Sequence, residues 1–168
     1  MTIWFTADQH FRHENIIKYC NRPYDSVKVM DSALVQNFNR VVGKEDITYH
    51  LGDIAMDGPE NKWKVKRIID KLNGKHVLIY GNHDRMKPFH YVDMGFLHVH
   101  TYLHLPEYDL HLVHDPAMAQ DRDKMWLCGH VHNVFKVSEN GNIVNVGVDV
   151  WGYTPVSLED VLAAFRKY

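Results

Sequence analysis

Apolar positions along this chain follow two periods. Short β-branched and aromatic runs at residues 3–7, 47–51, 77–80, 110–113 and 125–128 predict strands. Residues 97–105 predict another, and residues 135–137 and 143–146 flank Glu139-Asn140-Gly141-Asn142, whose Asn-Gly step predicts a hairpin. Apolar residues three and four apart at Val27, Met30, Leu34, Phe38 and Val41 predict an amphipathic helix. Pro59 predicts the opening of a second helix, carrying Trp63, Ile68, Ile69 and Leu72. Residues 85–94 predict a short third helix, and Ser157 with Asp160 reads as the capping box of a last one through Phe165. Early strands alternate with helices and later strands follow one another closely. The pattern therefore predicts a layered α/β fold, parallel-rich in its first half and antiparallel-rich in its second. With no repeat, low-complexity tract or linker, residues 1–168 are expected to form one domain.

Composition narrows the class without naming a function. The net charge of −2 provides no global basic field for long nucleic acids. Cys20 and Cys128 are too few for a disulfide framework, and Cys128 closes an apolar run as a small buried hydrophobe would. The first residues lack the basic and apolar regions of a signal peptide, and no apolar run reaches transmembrane length, so a cytoplasmic protein without membrane contact is expected. Thirteen histidines are many for 168 residues. Of these, His50, His76 and His98 read as surface or satisfied core positions.

The candidate chemistry sits in polar motifs that each follow a predicted strand: Asp8-Gln9-His10, Gly52-Asp53, Gly81-Asn82-His83-Asp84, His114, and Gly129-His130-Val131-His132. In open α/β sheets ligands bind beyond the carboxyl ends of strands, so these motifs are expected to converge on one edge. They offer carboxylate, amide and imidazole donors but no thiolate, a mixture suited to hard or borderline divalent metals rather than structural zinc. Each motif alone is weak. Asp-x-His arises by chance, Gly-Asp also ends strands at turns, and surface histidines produce His-x-His. Only their joint occurrence in this order is specific. For the lone histidine, His111, His104 and His100 compete with His114, which directly follows an apolar run.

The ordered set resembles the calcineurin-like metallophosphoesterase superfamily, whose pattern is Asp-x-His, Gly-Asp, Gly-Asn-His-Asp/Glu, a lone His and Gly-His-x-His. Residues 5–13 and the tail Asn145-Val146-Gly147-Val148-Asp149 resemble its small bacterial and phage members. The resemblance implies an α/β/β/α sandwich of two mixed sheets flanked by helices. It also implies two divalent ions, manganese first, with iron, zinc and nickel as alternatives. Asp8, His10 and His132 would hold the first ion, Asn82, His114 and His130 the second, and Asp53 would bridge them. A metal-bound hydroxide would then hydrolyse a phosphate ester, with His83 assisting the leaving group.

Asp84 is expected either to orient His83 or to cap a helix. Arg12, Arg22 and Arg85 are candidate phosphate contacts, although relatives often carry glycine where Arg12 stands. His13, Asn15, Tyr19 and Asn21 are either mouth or helix-surface residues, and Trp151 and Tyr153 are expected to pack rather than stack on a base. A phosphodiester is the expected substrate, as a small molecule or a nucleic-acid end. A phosphomonoesterase, a phosphoprotein phosphatase and a non-catalytic scaffold are the alternatives, and the oligomeric state is left open.

Overall fold

The computed structural model describes residues 1–166. Its elements in chain order are β1 (Ile3–Thr6), α1 (Glu14–Tyr19), α2 (Val27–Val41), β2 (Ile47–His50), α3 (Lys62–Ile69), β3 (Lys75–Ile79), α4 (Pro88–Asp93) and β4 (Phe96–His100). They continue with β5 (Tyr102–Leu105), β6 (Leu110–Val113), β7 (Met125–Cys128), β8 (Ile143–Asn145), β9 (Val156–Ser157) and α5 (Leu158–Phe165).

Two mixed sheets result. The first runs β4-β3-β2-β1-β9, parallel throughout except for antiparallel β9. The second runs β5-β6-β7-β8, with β5 antiparallel to β6 and the remaining pairs parallel. The second half is thus less antiparallel than its closely spaced strands suggest, because the connections from β6 to β7 and from β7 to β8 return the chain in the same direction. Residues 97–105 hold two strands rather than one, and the break after His100 carries the chain from the first sheet to the second. The expected hairpin keeps its turn, with Gly141 at φ 72°, but the incoming arm makes only the single bridge Val137–Val144.

The core lies in layers. Phe5, Ile79, Leu110, Leu112, Leu127 and Val144 fill the space between the sheets, joined by Val161 of α5. Met30, Leu34, Phe38, Val65, Ile69 and Tyr91 from α2, α3 and α4 cover the outer face of the first sheet. The outer face of the second sheet, with Val113, Trp126 and Cys128, is covered among the described residues by Ala119, Val131 and Phe135 rather than by a helix. Burial pushes the Cys128 thiol well up, in keeping with its place as a small core residue. Ser157 caps α5 by accepting the Asp160 N–H at 3.1 Å. Trp151 packs beside the intersheet core and donates its indole N–H to the Asn145 carbonyl at 2.7 Å, and Tyr153 lies against Tyr24. No helix of the described residues is long and apolar enough to cross a membrane.

His50 and His76 are satisfied core residues, whereas His98 is exposed. The Gln9 side-chain amide meets His50 Nδ1 at 2.8 Å, and His50 Nε2 meets His76 Nδ1 at 3.1 Å. Burial holds His50 well below the ordinary histidine value and lowers His76 to about 4. Both rings are therefore neutral when folded, while the unfolded chain takes up protons below about pH 6.5. The stability they contribute is complete above that value and is lost as pH falls towards 4, about 3 kcal/mol for His76 alone. Urea midpoints at pH 7.5 and 4.5 check this. His76→Gln is expected to lose less stability between the two pH values than the native chain, and an equal loss would contradict the assignment.

Candidate metal centre

Each candidate motif occupies the loop just beyond the carboxyl end of β1, β2, β3, β6 or β7. The loop after β1 is zipped to the loop after β2: Asp8 N–H donates to the Gly52 carbonyl (3.0 Å), His10 N–H to Asp53 (3.0 Å) and Phe11 N–H to Ile54 (2.8 Å). Asp8, His10, Asp53, His130 and His132 all have φ between 47° and 70°. A left-handed backbone costs a non-glycine residue about 1–2 kcal/mol. Clustering such residues on one rim is characteristic of a functional site.

Glycines make the close approach possible. Gly52 has φ 90°, and a Cβ there would lie 2.5 Å from His114 Nδ1. At Gly129 a Cβ would lie 2.9 Å from Asp8 Oδ2.

The seven candidate ligands come together in two groups. Donor atoms of Asp8, His10 and His132 lie within 4.8 Å of one another, as do those of Asp53, His114 and His130. Asn82 joins the second group, its Oδ1 standing 2.9 Å from both His114 Nε2 and His130 Nδ1. The two imidazole nitrogens are 3.3 Å apart. Asp53 Oδ2 faces both groups, with His10 Nε2 at 3.4 Å and His114 Nε2 at 3.5 Å.

Octahedral ligands about 2.1 Å from an ion lie roughly 3.0 Å apart along an edge, and tetrahedral ones roughly 3.4 Å. The observed 2.9–3.5 Å falls in that range. Moreover, His10 Nε2 is buried without a hydrogen-bond partner, which an ion would supply. The residues fit divalent-ion ligation.

Surrounding groups aim the ligands. His114 Nδ1 contacts the Leu51 carbonyl at 2.7 Å, directing Nε2 towards Asn82 and Asp53. His132 Nδ1 contacts Asp149 Oδ2 at 3.1 Å. Carbonyl–histidine and carboxylate–histidine pairs of this kind fix ring orientation at metal sites. Burial acts to lower both imidazoles, but Asp53 pushes His114 up to about 9 and Asp149 pushes His132 up to about 10. Burial acts to raise Asp53, and the facing imidazoles of His10 and His114 outweigh it, holding the carboxyl far below the usual range. Burial lowers His10 to about 4 against the opposing Asp53 carboxylate, and burial lifts Asp8 to about 6 against His132 and His114. Incoming cations would displace the protons on His114 and His132. Asp149→Asn is expected to weaken manganese affinity ten- to hundredfold, as titration followed by electron paramagnetic resonance would show.

Four residues do not take the expected roles. Arg22 is buried, and its guanidinium is spent on Asp149 (2.8 and 2.9 Å), the Gln9 and Asp8 carbonyls (2.9 and 2.7 Å) and Met30 Sδ (3.5 Å). No donor remains for phosphate. It is a strut beneath the first ligand loop. Arg12 is exposed, pairs with Asp57 and lines a different surface depression beside α2. Asp84 neither orients the His83 ring nor caps a helix. It accepts backbone N–H groups from Gly81 (2.8 Å), Asp53 (2.9 Å) and Ile54 (3.0 Å), tying two ligand loops together. Arg85 is exposed and does not line the cleft described next.

A cleft of about 590 Å³ opens over the first group. His10, His83, His130 and His132 form its floor, and His13, Asn15, Tyr19, Met56 and Val134 are among its walls. Asn21 is exposed outside it. The His83 ring lies 5.5 Å from that of His10, and its backbone N–H donates to Asp53 Oδ1 at 2.8 Å. Asp149 and Asn145, which the sequence offers only as part of a family-like tail, are structural partners of the site. Asn145 Nδ2 donates to the His132 carbonyl at 2.7 Å.

No family model matches the chain. An uncharacterized protein of Methanocaldococcus jannaschii is 33% identical over 173 residues, covering 98% of this chain and 92% of the relative. The chain belongs to the family of that archaeal protein. The gene 66 protein of Mycobacterium phage L5 is 29% identical, covering 89% and 87%. Among solved structures, a protein of unknown function from Aquifex aeolicus shares the fold, with a TM-score of 0.74, 24% identity and coverage of 96% and 98%. Pseudomonas putida nuclease MPE is similar over 77% of this chain and 61% of its own, with a TM-score of 0.51 and 25% identity.

Proposed function

We propose that the chain is a calcineurin-like metallophosphoesterase that holds two divalent ions and hydrolyses phosphodiesters. The observation that carries this reading is the position of Asp53 Oδ2, one carboxylate oxygen faced by an imidazole nitrogen from each ligand group. Asp8, His10 and His132 would hold one ion and Asn82, His114 and His130 the other, with the Asp53 carboxylate available to both. The oxygen and imidazole donors suit manganese, with iron, zinc and nickel as alternatives.

When bound, such a pair supplies a nucleophile near neutral pH and Lewis acidity towards a phosphoryl oxygen. The protein's own groups do the rest. His83, on the cleft floor, carries a proton on its ring for the departing ester oxygen. Asp84 and Arg22 keep the ligand loops in register.

The cleft favours a diester over a monoester. Among the described residues no lysine or arginine lines it, while Ile16, Tyr19, Met56 and Val134 present apolar surface. A singly charged diester with a second organic group matches such walls better than a dianion does. Likeness to a nuclease supports diester chemistry as well.

Metal-stripped protein restored with manganese and given matched nitrophenyl mono- and diesters tests the reading. Manganese-dependent turnover with the diester preferred is expected. Preference for the monoester would replace it with a phosphatase, and no turnover in a fully metallated sample with a scaffold.

A further inference from the structure

The second sheet carries a cluster of metal-ligating side chains remote in kind from the cleft. His104 on β5 and His111 on β6 are direct cross-strand partners, their rings stacked 4.2 Å apart and 9° from parallel. The connection between these strands brings Asp109 over the pair. Asp109 Oδ1 lies 3.5 Å from His104 Nε2 and 3.9 Å from His111 Nε2. All three donor atoms fall within 4.8 Å of one another.

His111 is the decisive member. Its side chain is only 5% exposed, and its Nε2 is buried without a hydrogen-bond partner. Leaving such a nitrogen unpaired is costly. The other ring nitrogen, Nδ1, is engaged by the Tyr102 hydroxyl at 2.7 Å, and Trp126 packs against the ring at 4.9 Å between centroids. The imidazole is thus held by a hydroxyl on one side and by packing on its face, with its unpaired nitrogen 3.9 Å from Asp109 Oδ1. A partner hydrogen bond that fixes the far nitrogen is how metal-ligating histidines are oriented.

We propose that His104, Asp109 and His111 form a second divalent-metal site, selective for zinc-class ions. Two imidazoles and one carboxylate are a zinc ligand set, and tetrahedral edges at bond lengths near 2.0–2.1 Å are roughly 3.3 Å. The observed separations need only side-chain adjustment to reach that value, which the exposed His104 and Asp109 can make. His104 and Asp109 both face solvent, with side chains 38% and 71% exposed. Manganese, lower in the Irving–Williams order, binds such a set more weakly than zinc, copper or nickel.

Zinc bound per chain, measured by equilibrium dialysis at micromolar free Zn2+ with elemental mass spectrometry, tests the proposal. His104→Ala alters an exposed strand residue, and Asp109→Gly keeps the left-handed turn at φ 51° while removing the carboxylate. Each variant is expected to bind one zinc fewer than the native protein, with manganese-supported turnover unchanged. The difference of one is read whether or not the cleft holds metal. Equal stoichiometry in all three proteins, or a difference that emerges only at millimolar zinc, would overturn the proposal.

Discussion

Asp53→Asn is expected to reduce bound manganese from two ions per chain to fewer than one at micromolar metal, and turnover by on the order of 10³-fold. The native carboxylate has separate work for each oxygen. Oδ1 accepts the His83 N–H at 2.8 Å, and Oδ2 faces His10 and His114. An asparagine that keeps the first contact turns its NH2 group towards both imidazoles, replacing a shared anionic acceptor with a donor. Asp53 is also 1% exposed, so water cannot readily take its place. Electron paramagnetic resonance of manganese titrations reads the occupancy, and circular dichroism confirms the fold. Full two-ion occupancy in the variant would remove Asp53 from the bridging position.

His83→Ala is expected to behave differently, keeping both ions while losing turnover by a factor of about 10² to 10⁴. Its backbone N–H, and with it the contact to Asp53, survives the substitution. What disappears is a ring on the cleft floor that can hold a proton for the leaving oxygen. The loss should be large for an alkyl ester, whose alkoxide needs that proton, and small for a nitrophenyl ester, whose leaving group departs as an anion. Comparing the two substrates separates proton delivery from a general loss of binding, which would reduce both rates alike. Equal losses on the two esters would contradict the role.

The sequence disclosed where polar residues had to gather more readily than what the charged ones among them would do. Strands β6 and β7 lie where their apolar runs predict, and the helix of Val27–Val41 follows its three-and-four spacing. Helix α1 has only Ile16 buried and so lacks an apolar stripe to announce it. The second sheet's parallel order depends on long connections, which local periodicity does not encode. Motifs placed after strands pointed to one edge because parallel strands deliver their carboxyl ends to the same side.

Charged residues were less legible. Proximity in sequence to a motif cannot distinguish an arginine that reaches the cleft from one that props it up. Arg22 donates to the carbonyls of Asp8 and Gln9 and pairs with Asp149, 127 residues away. Asp84 lies beside His83 in the chain yet serves the backbone of Asp53 and Ile54. The stacked pair His104 and His111 became visible only once β5 and β6 were in register.

Anomalous diffraction from a crystal grown with manganese tests the two-ion centre most directly. Two peaks about 3.5–4 Å apart are expected, one on either side of Asp53, with Asp8, His10 and His132 around the first and Asn82, His114 and His130 around the second. A single peak, or a pair that does not share Asp53, would contradict that centre.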